Sequence, residues 1–251
     1  DIGGTYRFDA KEQKWISLIS HVTMEDLSET FPIAIALDYN APNRLYIACG
    51  EGERSGKNGV LAISEDYGKH FHYEEIPVFV HGNLNGRGTA DRLWVDRKDA
   101  NTLYYASQQD GLLITYNLGH IWSKVTSLSE KYLTFVTQAG KALIVGTAGV
   151  TTGTEQMRGH SLYISYDKGQ HFEQMVEPAS RVIEGCKRNG LVAQRYSIDD
   201  KYLYVTFAST GRRSYVIENG YSCDSGDTID GRIARYTLCP DGTIGDFVEI
   251  T

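Results

Sequence analysis

The stretch that decides the fold is Ser64–Phe71, with the sequence SEDYGKHF. It fits the pattern S-x-D-x-G-x-x-aromatic, whose Ser and Asp side chains can accept hydrogen bonds from the backbone of a tight turn. The pattern recurs as TYNLGHIW in Thr115–Trp122 and as SYDKGQHF in Ser165–Phe172, so successive copies begin 51 and 50 residues apart. A constant spacing of this size is typical of propeller blades, each built of four short strands.

The repeat resembles the Asp box, also called the bacterial neuraminidase (BNR) repeat. Its glycine can adopt the positive φ of a tight turn, and its aromatic residue returns to the core. We therefore expect the three copies to hold hairpins rather than to form a functional site. A decayed first copy is expected between Tyr6 and Trp15, which are nine residues apart, as are Tyr163 and Phe172.

The segments around the repeats are short, with alternating or continuous apolar residues and turn residues between them. No segment shows the 3.6-residue stripe of an amphipathic helix. The sequence therefore predicts an all-β, Asp-box β-propeller of about four to five four-stranded blades in one domain, residues 1–251. The expected blades lie near residues 1–15, 31–75, 91–126, 132–176 and 190–251.

Composition excludes several classes of partner. The net charge is −7, and no basic cluster exceeds a pair of residues, such as Arg212 and Arg213. Nucleic acid and anionic membrane surfaces are therefore not expected partners. The sequence also contains no apolar run of the roughly 20 residues that a membrane-spanning helix needs.

The four cysteines form no C-x-x-C motif. Cys49 lies in an apolar strand segment and is expected to be a buried free thiol. Cys223 and Cys239 can form a disulfide, but the sequence leaves this open. His70 and His72 lack a third ligand at zinc-binding spacing, so neither a metal nor another cofactor is predicted.

Connection lengths predict which face of the blades carries function. The links between first and second strands are short, as in Asn40–Asn43, and the repeats themselves link third to fourth strands. Long segments such as Gly50–Gly59 and Ala208–Gly231 fall in the other links, on the opposite face. Because binding residues concentrate on long loops carried by a rigid scaffold, this face is the expected binding face. Asp1–Gly4 precedes a third strand and belongs to the same face.

Asp1–Asp9, with the sequence DIGGTYRFD, is similar to the DIGGAYRWD signature of glycoside hydrolase family 74, the xyloglucanases. Pro42–Tyr46, the first Asp box and Gly82–Arg87 follow in that family's order. Ala90–Asp96 (ADRLWVD) resembles its GERLxVDP segment but has Ala-Asp in place of Gly-Glu. The likeness covers most of residues 1–175 and weakens beyond them, where Tyr202–Thr206 still resembles the family's LYVTY strand.

The resemblance implies two seven-bladed propellers that face each other across a cleft for xyloglucan, a β-1,4-glucan with xylose branches. It implies hydrolysis with inversion, in which one carboxylate activates water and another carboxylic acid protonates the leaving oxygen. Asp1 matches the family's general base. The general acid belongs to the second propeller, which is not expected in this chain, and the family implies a secreted protein.

The resemblance and the loop positions indicate seven substrate-binding candidates, which are Gly3, Gly4, Tyr6, His81, Asn83, Arg87 and Tyr196. A solvated loop position for Arg87 and core positions for the tyrosines are the alternatives. A non-catalytic glycan-binding propeller or scaffold is the alternative function. A sialidase is disfavoured because the early Arg-Ile-Pro strand motif is absent.

Overall fold

The computed structural model describes residues 4–19, 31–51, 56–80, 91–147, 161–179, 191–208, 217–218, 221–222 and 231–250. In these ranges every regular element is a β-strand, which confirms the predicted all-β class. No helix with the length and hydropathy needed to cross a membrane occurs in the part of the chain that the structure describes.

Most of the strands form four-stranded antiparallel sheets. A two-stranded sheet precedes them, with β1 at Thr5–Asp9 and β2 at Lys14–Ile19. The next sheet contains β3 (Pro32–Leu37), β4 (Leu45–Cys49), β5 (Gly59–Ser64) and β6 (His72–Ile76). The third contains β7 (Leu93–Val95), β8 (Leu103–Ala106), β9 (Leu112–Thr115) and β10 (Trp122–Lys124).

The fourth sheet contains β11 (Leu133–Ala139), β12 (Ala142–Thr147), β13 (Leu162–Ser165) and β14 (Glu173–Gln174). After it come β15 (Val192–Ile198), β16 (Tyr202–Ala208), β17 (Ile217–Glu218), β18 (Tyr221–Ser222), β19 (Gly231–Leu238) and β20 (Ile244–Glu249). Here β15, β16, β19 and β20 form the fifth sheet, and β17 pairs with β18 in a separate hairpin. Each four-stranded sheet is thus a meander in chain order, as in a propeller blade.

The strand predictions differ from the structure at a few ends. The sequence pattern places the starts of three fourth strands at His70, Ile121 and His171. These strands begin one or two residues later, as β6 does at His72, because the residues of the repeat remain in the turn. The pattern places the start of the last strand at Phe247, whereas β20 begins at Ile244, and the β17–β18 hairpin lies in a segment that was expected to be a loop.

The chain divides into two compact units, and the division passes through the third sheet. Unit 1 comprises residues 1–82, 93–104 and 114–123, and unit 2 comprises residues 83–92, 105–113 and 124–251. In unit 1, β4 is buried along its whole length, because an apolar run such as Leu45–Cys49 is covered on both faces. Its neighbour β3 alternates instead, with Ala36 buried and Leu37 61% exposed.

In unit 2, one hydrophobic cluster joins the fourth and fifth sheets. It includes Phe135, Ile144, Leu203 and Tyr236, each with at most 2% of its surface exposed. Such burial contributes roughly 2 kcal/mol for each large side chain. The inner strands are thereby rigid supports for the connections at their ends.

The repeats form turns that are held by their own side chains. Ser64 Oγ accepts a hydrogen bond from the Gly68 N–H at 2.8 Å, and Asp66 Oδ1 accepts bonds from the Lys69 and His70 N–H groups. Tyr67 and Gly68 both have positive φ, of 62° and 80°. The copies that begin at Thr115 and Ser165 repeat the bond to the glycine N–H.

Cys49 is a buried free thiol, as predicted, and burial raises its thiol pKa to about 12. Cys239 is also a free thiol. Cys186 and Cys223 lie outside the described residues.

Candidate functional site

Each four-stranded sheet has a turn end and a link end. The turn end carries the connections between its first and second strands and between its third and fourth strands, and these have two to seven residues. The link end carries the other connections, which reach 22 residues between β16 and β19. The long connections that were predicted to carry function thus lie at the link ends.

The predicted site residues lie only partly in the described ranges. Asp1, Gly3, His81, Asn83 and Arg87 lie outside them. The structure therefore places three of the candidates: Gly4, Tyr6 and Tyr196. Gly4 and Tyr6 belong to unit 1, and Tyr196 belongs to unit 2.

Gly4 and Tyr6 lie at the start of β1, with the Tyr6 ring folded back over the glycine. A Cβ at Gly4 would be 3.0 Å from Cε2 and Oη of Tyr6, so a larger residue would force the ring to move. Tyr6 is 56% exposed, which leaves its ring accessible to a ligand. β1 joins β2 through the short turn after Asp9, so Gly4 lies at the other end of the strand, next to the Asp1–Gly3 segment.

Tyr196 lies in β15, the first strand of the fifth sheet. Its ring contacts Phe135 with the ring centroids 5.0 Å apart, and its hydroxyl donates to Asp91 Oδ2 at 3.3 Å. Asp91 is exposed and precedes β7, and its carbonyl oxygen accepts a bond from the Val136 N–H. Tyr196 is therefore a half-buried tyrosine whose hydroxyl is oriented by an exposed carboxylate.

Sequence reasoning missed a polar cluster at the link ends of unit 2. Tyr163 Oη donates to Glu130 Oε1 at 3.1 Å, and burial raises the Tyr163 pKa to about 12. Glu177 Oε2 accepts bonds from the N–H and the hydroxyl of Ser161, at 3.0 and 2.7 Å. These partners are 16 to 33 residues apart, and no local motif joins them. The only signal in the sequence is a carboxylate just outside a strand.

Two more polar side chains are buried at link ends. Glu51 follows β4 and is 5% exposed, and Gln108 follows β8 and is 4% exposed. Gln108 Oε1 has no hydrogen-bond donor in the described part of the molecule. Among the described residues, no group of three or more His, Cys, Asp and Glu side chains is arranged to hold a metal ion.

Asp66 and Asp167, the carboxylates of two repeat turns, accept hydrogen bonds from groups within their own turns. In the first repeat the hydrogen bond from the His70 N–H, with the His70 side chain, holds the Asp66 carboxyl pKa well below its usual range. His171 does the same for Asp167. Both carboxylates accept several bonds within their own loops, so they have little capacity left for a substrate.

Comparison with known proteins adds independent information. No family model matches the chain. A xyloglucanase from Paenibacillus sp is 36% identical over 130 residues, which are 51% of this chain and 13% of that protein. Xyloglucanase Xgh74A from Acetivibrio thermocellus is 35% identical over 130 residues, or 51% of this chain and 15% of that protein. An oligoxyloglucan-reducing end-specific xyloglucanase from Emericella nidulans is 29% identical over 181 residues, or 69% of this chain and 21% of that protein.

Solved structures show the same fold. The GH74 enzyme from Niastella koreensis superimposes with a TM-score of 0.74 at 23% identity, covering 100% of this chain and 34% of that enzyme. The GH74 xyloglucanase from Xanthomonas campestris gives 0.73 at 22% identity, covering 100% of this chain and 35% of that enzyme. The propeller architecture is therefore confirmed. The chain spans about a third or less of each relative, and over 51–69% of its own length it is similar in sequence to xyloglucanases.

Proposed function

We propose that this chain carries the general base and part of the cleft of an inverting glycoside hydrolase. Its substrate is the β-1,4-glucan backbone of xyloglucan or of xyloglucan oligosaccharides. The observation that carries the proposal is the similarity to three curated xyloglucanases, which spans 51–69% of this chain. The separation of turn ends from link ends supports it, because the signature that contains Asp1 precedes β1 on the link side.

In the proposed mechanism Asp1 removes a proton from a water molecule that attacks the anomeric carbon. A second carboxylic acid protonates the leaving glycosidic oxygen, and the two carboxyl groups stand about 6.5–9.5 Å apart so that the water fits between them. We assign that acid to a second propeller of the same protein, which would also complete the cleft. Inversion follows because the water attacks the face of the sugar opposite the leaving group.

The other candidates bind the glucan in this proposal. Tyr6 offers an exposed ring face, and Gly3 and Gly4 keep the backbone free of side chains beside Asp1. His81, Asn83 and Arg87 supply hydrogen-bonding groups from the link between β6 and β7. Tyr196, with its hydroxyl held by Asp91, presents a ring and an oxygen in fixed orientation.

The polymeric substrate also indicates where the protein acts. A polysaccharide of the plant cell wall cannot cross a membrane, so we propose that the protein is secreted. Fractionation of the producing cells tests this, because activity or antigen in the medium or periplasm is expected. Retention of all the protein in the cytoplasm would contradict it.

The test of the mechanism is Asp1→Asn in the full-length protein, with turnover measured on soluble xyloglucan. Loss of the base should lower kcat by about 10³-fold, the usual contribution of a general base, while glycan binding persists. The matched control is Asp9→Asn, the same change at the turn end of the same strand, where the side chain accepts bonds from the Lys11 and Glu12 N–H groups. This variant should retain full turnover.

Two results would overturn the proposal. One is full turnover by Asp1→Asn. The other is a wild-type protein that binds xyloglucan but never cleaves it, which would instead establish a non-catalytic glycan-binding propeller.

A further inference from the structure

A groove with a volume of about 400 Å³ lies between the outer strands of the fourth and fifth sheets, within unit 2. One wall comes from β13, β14 and the turn between them, and includes Tyr166 and Glu173. The other wall comes from β19 and β20, and includes Tyr236, Asp246 and Phe247. None of the residues assigned above to the cleft lines this groove.

Hydrogen bonds fix the two walls relative to each other. Tyr166 Oη accepts a bond from the Ile244 N–H at 3.0 Å, and Tyr236 Oη donates to the Val176 carbonyl at 2.7 Å. Each bond connects one wall with the other. The groove is therefore preformed, as ligand sites usually are.

The buried part of the groove lining is aromatic, and its exposed rim is acidic. Tyr236 and Phe247 contact each other with centroids 5.4 Å apart and form a continuous apolar wall beside the buried Met175. Glu173 and Asp246 are exposed and lie on opposite walls. The lining, all of it in the described residues, contains neither Lys nor Arg, so it does not suit phosphate or another anion.

We propose that this groove binds a neutral oligosaccharide. The C–H faces of a pyranose ring suit the exposed ring of Tyr166 and the half-buried ring of Phe247, and its hydroxyl groups can donate to the two carboxylates. The choice of a glucan as the oligosaccharide rests on the proposed function.

The chain offers a matched pair of variants for a test. Tyr166 and Tyr116 follow the first residue of their repeats, and both are exposed, at 48% and 58%. Only Tyr166 lines the groove. Tyr166→Ala and Tyr116→Ala therefore remove the same side chain from equivalent turn positions, of which only the first lines the groove.

The experiment is a titration of the full-length Asp1→Asn protein with a short xyloglucan oligosaccharide, followed by NMR of ¹³C-labelled methionine methyl groups. The Met175 signal, assigned with Met175→Leu, reports on the groove. It should shift on binding, and Tyr166→Ala should weaken this binding about tenfold or more while Tyr116→Ala leaves it unchanged. Glu173→Gln and Asp246→Asn, which alter only exposed side chains, should weaken it as well.

The proposal is overturned if the Met175 signal does not respond, if Tyr116→Ala weakens binding as much as Tyr166→Ala, or if only a lysine-rich peptide shifts the signal. Turnover of a short soluble substrate by the protein with an intact Asp1 should be the same in the Tyr166→Ala variant. If the groove binds no oligosaccharide, the Met175 signal does not shift but turnover is still observed. If the proposed function is wrong, the Asp1→Asn variant retains turnover, whatever the Met175 signal shows.

Discussion

Carboxylates at the turn ends and at the link ends of the sheets bind different kinds of partner. At the turn ends Asp66 accepts bonds from residues three and four positions away, and Asp9 from residues two and three positions away. At the link ends of unit 2, Glu130 binds a tyrosine 33 residues away and Glu177 binds a serine 16 residues away. Asp66 and Asp9 therefore stabilise one hairpin each, whereas Glu130 and Glu177 each connect segments that are distant in the chain. The turn-end Glu65 also reaches beyond its own turn, because it accepts a bond from Arg44 at 2.8 Å.

The comparison also explains why the repeat tolerates change. In the second copy Asn117 replaces the aspartate, and its Oδ1 still accepts a bond from the Ile121 N–H at 2.9 Å. In the β1–β2 hairpin the repeat has decayed, yet Asp9 holds the turn and Gln13 adopts a positive φ of 51°. These turns share an acceptor oxygen and a residue with positive φ, and the side chain that supplies the acceptor need not be charged.

The largest effect on stability is expected from Gly119→Ala, in the second repeat. Gly119 has a φ of 97°, and a Cβ there would lie 2.5 Å from Leu61 Cδ2. Strain and overpacking should lower the free energy of unfolding by about 2–3 kcal/mol, as measured by denaturant titration. Gly231→Ala is the control, because open space surrounds that position. An equal loss in both variants would show that the turn geometry is unimportant.

A smaller effect is expected from Tyr163→Phe, at the link ends. The change removes the hydrogen bond to Glu130 and leaves the ring in place. The free energy of unfolding should fall by about 1 kcal/mol. If Glu130→Ala in the Tyr163→Phe background costs as much as in the wild type, the two side chains are not coupled, and the link-end pair does not contribute as described.

The smallest effect at neutral pH is expected from the double variant Asp66→Asn and Asp167→Asn. Hydrogen bonds from the His70 and His171 N–H groups lower the pKa of both carboxyls in the folded state. Their stabilisation is therefore present above the unfolded pKa of about 3.9 and is lost as the pH falls below it.

The double variant should accordingly lose less stability than the wild type between roughly pH 5 and pH 2. The measurement is Tm against pH by circular dichroism, with Asp199→Asn as a control at a turn outside the repeats. Parallel Tm profiles for the double variant and the wild type would contradict the assigned pKa shifts.

The sequence predicted the turn ends well because their interactions are local. The order of Ser64, Asp66 and Gly68 contains both the acceptors and the left-handed residue, so the motif determines the turn. The link ends could not be predicted in the same way. The hydrogen bonds of Tyr163 with Glu130 and of Tyr196 with Asp91 depend on which strands become neighbours. No pattern of residue types at a fixed spacing indicates which strands those are.

The groove beside Tyr166 was missed for a related reason. Its two walls come from strands that are separated by 57 or more residues along the chain, as β14 and β19 are. Tyr166 itself belongs to a repeat that was expected to be structural, and its turn position is the same as that of Tyr116. Only the neighbouring sheet distinguishes the two tyrosines.

The most direct test of the account is hydrogen–deuterium exchange of the full-length Asp1→Asn protein with and without a xyloglucan oligosaccharide. We expect slower exchange on binding in residues 1–6, in residues 81–90 and around Tyr196. We expect no change in the turns of residues 65–71 and 116–121, which line neither the proposed cleft nor the groove. Protection centred on those turns, with none in residues 81–90, would contradict the assignment of function to the link ends.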